Sequence, residues 1–194
     1  MTLYILFCLY TYDEITQNLR GQDIGIIAPY AAQISLLTRL FNSNATYRTR
    51  FEETLGSQRA LQLGFIEIKT VDGFEGREKD VIIFSTVRNN PGGYIGFLAD
   101  RRRLNVGLTR AKRGLFVVGS ISTLKAGKLS QRTTADGQTF ERVGKGAQAW
   151  RRYAEFLNQE KMVIQLNGTK LSKLLYGNMR RPRQELVPMK TWTE

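Results

Sequence analysis

The sequence predicts an α/β fold built on a mainly parallel sheet. Four short apolar runs rich in β-branched residues are spaced through the first two thirds of the chain, at residues 24–28, 65–68, 81–87 and 115–118. Patterns typical of amphipathic helices lie between these runs. Strands that alternate with helices favour parallel pairing, because each helix carries the chain back to the end of the sheet where the next strand begins.

The first half of the chain supports this assignment element by element. The third run, from Val81 to Phe84, is almost continuously apolar, as expected of a strand that is buried on both faces. After the first run, one apolar stripe at helical spacing predicts a helix. The stripe consists of Tyr30, Ile34, Leu37, Leu40 and Phe41. Residues 42–64 are then expected to form a surface loop or a short helical insertion.

In the second half, Asp100 can cap a helix that runs to about Ala111. The inner face of this helix is expected to hold Leu104, Leu108 and Ala111. Residues 125–146 are rich in Gly, Ser, Thr and Lys, which predicts a partly flexible excursion.

A last helical stripe and a change in composition close the domain. The stripe consists of Trp150, Tyr153, Ala154 and Leu157, and a strand is predicted after it at residues 162–166. We therefore divide the chain into an atypical N-terminal segment (1–19), an α/β domain (20–166) and a basic, partly disordered tail (167–194). The tail is basic because it contains Arg180, Arg181 and Arg183, among others.

Composition narrows the possible functions. The 29 Lys and Arg residues exceed the 17 Asp and Glu residues, which gives a net charge of +12. An excess of this size indicates a polyanionic partner, and favours nucleic acid over a membrane surface. The chain has no histidine and one cysteine, so it excludes Ser/His/Asp and Cys/His triads, a zinc site of His and Cys ligands, and an internal disulfide.

The apolar stretch at residues 2–12 is too short to span a bilayer, which takes ~20 residues. It also lacks the basic leader and the small-residue cleavage site of an export signal. We therefore expect no membrane partner and an intracellular protein, nuclear or cytoplasmic.

One candidate site is the segment of residues 70–80, which places six charges and two glycines between two predicted strands. Loops at the carboxyl end of parallel strands commonly line ligand crevices. Within this segment Glu78 can accept hydrogen bonds from sugar hydroxyls. The alternative is an ordinary polar turn whose charges pair with each other.

A second candidate is the helix that begins at Asp100, whose first turn contains three consecutive arginines. Cations are unfavourable near a helix N-terminus, so they indicate acidic partners or phosphates. Helical spacing predicts that Arg103, Gly107 and Arg110 share one face that Gly107 leaves open. Such a face suits phosphate, and the alternative is a solvated basic surface.

The chain offers no phosphate cradle of its own. The segment after the fourth strand, from Gly119 to Ser130, has glycines eight residues apart and Leu129 where a phosphate loop needs a hydroxyl directly after the lysine. No apolar run ends in the acidic pair that would hold magnesium for nucleotide hydrolysis.

Three sequence blocks stand in order along the chain: residues 24–30 with Gln33, residues 71–82, and residues 96–112. In this order they resemble the second RecA-like domain of superfamily 1 helicases of the Upf-one, senataxin and Dna-two/Nam-seven type. The resemblance covers roughly residues 20–165. It implies a RecA-like three-layer α/β domain with a mainly parallel sheet, followed here by the basic C-terminal tail.

The resemblance also implies a nucleotide site. Arg110 matches the motif VI arginine, which reaches the γ-phosphate of ATP held mainly by the first RecA-like domain. Glu78 matches the motif V glutamate near the ribose, with Gly76 and Arg77 beside it. ATP and Mg²⁺ are therefore expected only together with the first RecA-like domain, in cis or in trans, and no metal site is expected in this chain.

Residues implied at the nucleic-acid strand form a second set. Thr70 and Val71 match positions along the backbone of single-stranded RNA or DNA, and Pro29 and Tyr30 match a loop that also faces the strand. A further pair, Arg103 and Asn105, is expected to support the motif VI helix.

Two positions depart from the family pattern. Glu75 stands where the family usually has glutamine, and Ala28 stands where it has serine or threonine. The expected function is the C-terminal motor half of an ATP-dependent RNA or DNA helicase, inactive as an ATPase by itself. The alternatives are a non-catalytic single-strand-binding module, an inert fragment of a truncated helicase gene, and a subunit that docks onto a separate chain carrying the missing half.

Overall fold

A computed structural model of the chain describes residues 19–128, 131–133, 139–141 and 145–165. The chain divides into two compact units, residues 1–163 and residues 164–194. The first unit holds every helix and strand named below, and only two residues of the second are described. The predicted basic tail and all of the atypical N-terminal segment except Leu19 lie outside the described residues.

Four parallel strands form the central sheet in the order β2-β1-β3-β4. The strands are β1 (Ile24–Ala28), β2 (Glu67–Thr70), β3 (Lys79–Ser85) and β4 (Ala111–Val118). The sheet therefore has an amino end, where every strand begins, and a carboxyl end, where every strand stops. The predicted α/β fold of RecA-like type with a parallel sheet is confirmed.

Alternate residues of β3 point into two separate apolar cores. Ile82 and Phe84 pack in one cluster, whereas Val81 and Ile83 pack in the other. All four side chains are buried, which explains why the sequence of this strand is continuously apolar. A sheet that is buried on both faces needs helices on both sides, so the domain has three layers.

Three helices cover one face of the sheet: α1 (Ala31–Ser43), α2 (Ala45–Leu55) and α3 (Ser57–Leu61). Leu37 on α1 and Phe51 on α2 are buried against the strands. Residues 42–64, expected as a surface loop or a short helical insertion, are thus mostly helical and contribute a large side chain to the core.

The other face is covered by a 3₁₀ turn, Asp72–Phe74, and by α4 (Arg101–Leu108), α5 (Ile121–Ala126) and α6 (Lys145–Gln159). Trp150 on α6 is fully buried, and its indole Nε1 donates a 2.8 Å hydrogen bond to the Leu98 carbonyl. The predicted helix around Trp150 is therefore confirmed. In the part of the chain that the structure describes, no helix is long and apolar enough to cross a membrane.

The 125–146 excursion contains regular structure. Its first residues complete α5, and a two-stranded antiparallel hairpin follows, with β5 (Gln131–Thr133) and β6 (Thr139–Glu141).

Three strands begin or end at residues other than those predicted, mostly because polar residues at their ends resemble a loop in the sequence. The second strand, predicted at residues 65–68, starts two residues later, because Phe65 belongs to a 3₁₀ turn and is 63% exposed. The third strand begins at Lys79 and ends at Ser85 instead of Val87. The fourth begins at Ala111 rather than Leu115, since its first residues are charged and exposed at the sheet's amino end.

Two other predictions are corrected by the structure. The strand predicted at residues 162–166 is wrong for residues 162–165, which pair with no strand among the described residues, and Leu166 lies outside them.

The predicted cap of α4 is confirmed, since the Asp100 carboxylate accepts hydrogen bonds from the backbone N–H groups of Arg102 and Arg103. The helix stops at Leu108, however, and Ala111 already belongs to β4.

Candidate functional site

The predicted site residues separate into two sets at opposite ends of the sheet. Pro29 and Tyr30 directly follow β1, and Thr70 ends β2, so these residues lie at the carboxyl end. Glu78 directly precedes β3 and Arg110 directly precedes β4, so both lie at the amino end. The Arg110 carbonyl accepts a 3.0 Å hydrogen bond from the Lys79 N–H group, which fixes the two strand starts side by side.

The segment from Thr70 to Lys79 produces this separation by crossing the sheet from its carboxyl end to its amino end. Midway, Phe74 is fully buried over β1. Gly25 of β1 makes the crossing possible, because a Cβ there would lie 2.5 Å from Phe74 Cζ. The expectation that the segment borders a crevice at the carboxyl end therefore holds for its first residues only.

At the amino end most charges are paired. Glu67 accepts contacts from Arg77 (2.7 Å), Lys69 (3.1 Å) and Lys79 (3.2 Å). Burial of the Glu67 carboxyl acts to raise its pKa, but hydrogen bonds from the two lysines and the charges of Lys79 and Arg77 outweigh it, so the pKa lies below its usual value. This pairing occupies Arg77.

Glu78 lies in the same group of paired charges. Its carboxylate is 3.9 Å from the Lys112 ammonium, and both side chains are more than half exposed. A pair of this kind is weak, so the Glu78 carboxylate can readily exchange its partner for a sugar hydroxyl. Gly76 nearby has a φ of 73°, and the space where a Cβ would stand is open.

Arg110 differs from its neighbours because no carboxylate of the described residues lies within 4.0 Å of its guanidinium. Its Nη2 donates a 2.9 Å hydrogen bond to the Thr109 hydroxyl, which in turn donates to the Asn105 carbonyl at 2.8 Å. Its Nε is buried and has no hydrogen-bond partner among the described residues. A buried donor left without an acceptor is costly, so this arrangement suits an incoming anionic ligand.

The structure corrects the predicted common face of Arg103, Gly107 and Arg110. α4 runs from the carboxyl end to the amino end of the sheet, so Arg103 lies near its start and Arg110 lies beyond its end. Gly107 is buried rather than open, because a Cβ there would lie 2.3 Å from the Phe84 ring. Only the backbone carbonyl of Asn105 is linked to Arg110, through the Thr109 hydroxyl, so a role for its side chain stays a prediction. Arg103 contacts residues at the other end.

Arg103 joins two loops at the carboxyl end. Its Nε and Nη2 donate to the two carboxylate oxygens of Asp72, both at 2.9 Å, and Asp100 lies 3.9 Å from its Nη1. The hydrogen bonds from Arg103 hold the pKa of Asp72 below its usual value, although partial burial opposes the shift. The expectation that this charge cluster faces phosphate therefore needs a correction for Arg103, which is already paired.

Tyr30 stands at the centre of the carboxyl end. Its hydroxyl accepts a 2.7 Å hydrogen bond from Arg88 Nε, and the Arg88 guanidinium carbon lies 5.1 Å from the ring centroid. The Phe97 ring meets Tyr30 edge to face, with centroids 5.7 Å apart. Neither Arg88 nor Phe97 was singled out from the sequence; the available signal was an arginine and an aromatic residue in short polar loops after β3.

Thr70 and Val71 lie at this end but present little of their side chains. The Thr70 hydroxyl accepts a hydrogen bond from the Gly73 N–H group at 3.1 Å, and Val71 is 2% exposed.

Metal ligands are scarce in this unit. Among the described residues, no three His, Cys, Asp or Glu side chains form a group that could hold a metal ion. The carboxylates near Arg110 are instead paired with lysines and arginines.

Comparisons with known proteins agree on the kind of domain. A family model described as "AAA domain" matches residues 5–122, more than half of the chain. The chain is 44% identical over 118 residues to "Probable helicase MAGATAMA 3" of Arabidopsis thaliana. It is 46% identical over 117 residues to "DNA polymerase alpha-associated DNA helicase A" of Saccharomyces cerevisiae, and 44% identical over 112 residues to "Helicase sen1" of Schizosaccharomyces pombe.

These relatives are much longer than the chain. The matches cover 61%, 58% and 58% of this chain, but only 12%, 15% and 6% of the respective relatives. The similarity therefore concerns one domain of large helicases.

Proposed function

We propose a specific role for this chain, which belongs to the AAA domain family and is a helicase-type domain of the Upf-one, senataxin and Dna-two type in superfamily 1. The proposed role is that of the second RecA-like motor domain of an ATP-dependent helicase. In this role it supplies an arginine finger to ATP held mainly by a first RecA-like domain. It also supplies part of the groove that binds single-stranded RNA or DNA.

The observation that carries the proposal is the state of Arg110. It is an arginine at the amino end without a carboxylate partner among the described residues, it is oriented by Thr109, and its buried Nε has no acceptor there. A planar guanidinium with free donors can stabilise the charge that develops on transferring phosphoryl oxygens. Structural arginines nearby are instead paired, as Arg113 is with Asp80 at 3.6 Å.

We assign the remaining nucleotide contacts to residues at the same end of the sheet. Glu78 would accept hydrogen bonds from ribose hydroxyls, and the open space at Gly76 would admit the nucleotide close to the backbone. ATP supplies the phosphoryl group whose transfer releases the free energy for movement. We assign the Mg²⁺ that accompanies ATP to the first RecA-like domain, as the resemblance implies.

Strand binding is assigned to the carboxyl end, around Pro29, Tyr30 and the backbone of Thr70 and Val71. α4 links the two ends of the sheet, because it begins near Tyr30 and Phe97 and ends two residues before Arg110. Closure of the nucleotide cleft against Arg110 would therefore be transmitted along one short helix to the strand. The net charge of +12 also favours a second candidate function, a single-strand-binding module without catalysis.

A chimera tests the proposal directly. Residues 20–165 replace the matching segment of the yeast DNA polymerase alpha-associated DNA helicase A, and the proposal requires that the rest of that helicase supply the missing half. We expect Arg110→Ala to reduce ATP turnover by about 10³–10⁵-fold, the range of an arginine finger, or roughly 4–7 kcal/mol of transition-state stabilisation. Arg110→Lys should recover little, since a point charge on a flexible stem cannot replace the planar fork.

The control is Arg101→Ala, which removes an exposed arginine at the start of α4. It should change turnover far less than Arg110→Ala, and neither variant should alter strand affinity strongly without nucleotide. Equal and modest losses for both variants would contradict the finger assignment. The isolated chain should show no ATPase activity, and strand binding in the absence of any Arg110 effect would favour the second candidate.

A further inference from the structure

Phe97 is a large apolar side chain that the fold leaves at the surface. The residue is 51% exposed, whereas Ile95 and Leu98 nearby in the chain are buried. Burying a phenylalanine is worth about 1.5–3 kcal/mol, which this position largely forgoes. Folding alone therefore gives little reason for an aromatic residue here.

The backbone that carries Phe97 is held firmly. The Leu98 carbonyl accepts the 2.8 Å hydrogen bond from Trp150 Nε1, deep in the core. At the next residue, α6 passes so close that a Cβ on Gly146 would lie 2.0 Å from the Ala99 carbonyl oxygen. The backbone next to Phe97 is thus held by buried neighbours.

The surroundings of the ring are aromatic and cationic. Tyr30 packs edge to face at 5.7 Å, and the Arg103 guanidinium carbon lies 4.8 Å from the Phe97 ring centroid. Arg88 contacts Tyr30 and lies close to Gly96, and no carboxylate of the described residues lies within 4.0 Å of its guanidinium. Its charge is therefore available to a phosphate.

An exposed ring that packs on Tyr30, with an arginine without a carboxylate partner on the same tyrosine, is an arrangement that can bind single-stranded nucleic acid without reading its sequence. The ring stacks on a base, since every base offers a π face, and the arginine attracts the phosphate next to it. We propose that Phe97 stacks on one base of the bound strand, with Tyr30 holding the ring edge and Arg88 contacting the backbone of the same strand.

The assignment rests on the proposed function, because it takes the carboxyl end as the strand surface, and it adds a residue that the sequence did not single out. It also commits this surface to nucleic acid over an apolar protein segment. Arg103 lies over the Phe97 ring, Arg88 lies over the adjoining Tyr30 ring and donates to its hydroxyl, and the chain carries a net charge of +12. A polyanion complements such a border better than an apolar segment does.

The experiment uses the full chain and two fluorescein-labelled 15-nucleotide probes at low salt, followed by fluorescence anisotropy. One probe is oligo(dT), and the other has the same backbone with abasic sites in place of the bases; an oligo(rU) probe repeats the comparison for RNA. We expect Phe97→Ala to weaken oligo(dT) binding between about fivefold and about a hundredfold, the range of one base–aromatic stack. Binding of the abasic probe should change less than about twofold, because there is no base to lose.

Two further variants keep the test specific. Phe97→Trp should retain or increase oligo(dT) affinity, since it offers a larger stacking surface. Phe65→Ala removes a ring that is more exposed, at 63%, but lies just before the amino end of β2, and it should leave both affinities unchanged.

The outcomes distinguish this proposal from the function it rests on. Equal losses on both probes, or no loss on either, would overturn the stacking role of Phe97 while leaving strand binding intact. If the unaltered chain binds neither oligo(dT) nor oligo(rU) at low salt, the strand-binding half of the proposed function is wrong, and the Phe97 assignment with it. A loss confined to the base-containing probes supports both.

Discussion

The two ends of the parallel sheet are built from different side chains. At the amino end, Glu67, Glu78 and Asp80 take up the nearby lysines and arginines in ion pairs, and Arg110 is left without a carboxylate among the described residues. At the carboxyl end, the rings of Tyr30 and Phe97 lie beside arginines, with one bidentate ion pair, Arg103–Asp72.

This difference shows which side chains and backbone segments folding stability does not explain. Paired charges at the amino end help to hold the strand starts together, so Arg110 stands out as the exception among them. At the carboxyl end, the exposed half of Phe97 adds no burial energy, and the backbone at Val87, which has a φ of 63°, is strained. Arg110 at the amino end and the Phe97 ring at the carboxyl end are the two features that we assign to ligand binding.

The largest effect on folding is expected where the segment between the two ends crosses the sheet. Gly25→Ala places a Cβ 2.5 Å from Phe74 Cζ and 2.8 Å from Ile82 Cδ1, and both side chains are fully buried. Overpacking of this kind costs about 1–3 kcal/mol. Chemical denaturation should show a lower midpoint with an unchanged slope.

Gly64→Ala is the matched control for Gly25→Ala, because nothing lies within 4 Å of a Cβ at Gly64. It should change the midpoint little. Equal losses for the two variants would mean that the crossing segment does not pack on β1 as closely as the structure has it.

A comparison of one carboxylate from each end sharpens the contrast. Glu67→Gln removes the charge that holds three cations, and the Glu67 side chain is 18% exposed; we expect a loss of about 1 kcal/mol. Asp72→Asn breaks the Arg103 pair, but the Asp72 side chain is 64% exposed, so its loss should be only a few tenths of a kcal/mol. Urea titrations at pH 7 measure both values.

The pH dependence of these losses follows from the pKa shifts. Both carboxyls have a pKa lowered in the folded chain, so their contribution to stability is present above the usual value, about 4 for Asp and Glu. It is lost as the pH falls through the lowered folded values. The Glu67→Gln deficit should therefore shrink in acid, and a deficit that stays constant below that range would contradict the ion-pair explanation.

How far the sequence predicts the fold depends on burial. β1 and the core of β3 are apolar on both faces, so their sequences reveal them directly. β2 is half-buried along its length and contains Glu67, Lys69 and Thr70, so its composition resembles that of a loop and the apolar Phe65 displaced the prediction. In the same way, charged residues at the start of β4 concealed four residues of that strand.

The site residues were assigned one by one from the resemblance and stay predictions, whereas their arrangement in space could not be predicted from the sequence. The resemblance placed Arg110, Glu78 and Tyr30 in functional blocks, yet spacing along α4 put Arg103 and Arg110 on one face. The helix ends at Leu108, and the turn after it carries Arg110 to the far end of the sheet. A turn after a short helix depends on tertiary packing, here of Gly107 on Phe84, and helical periodicity contains no signal for it.

A last prediction concerns the backbone strain at the carboxyl end. Val87 directly follows Thr86, whose carbonyl accepts the Arg88 N–H group at 2.6 Å, so Val87 is the central residue of a tight turn with a φ of 63°. A β-branched residue is disfavoured in this region, where glycine is at ease. We expect Val87→Gly to be more stable than Val87→Ala by about 0.5–1 kcal/mol, the reverse of the usual order of these residues outside this region. Thermal melts of the two variants measure the sign, and an alanine variant that melts higher would contradict the strained turn. The turn leads directly into Arg88. Val87→Gly should therefore also bind oligo(dT) more weakly than the unaltered chain, because a more pliable turn no longer fixes the arginine beside Tyr30.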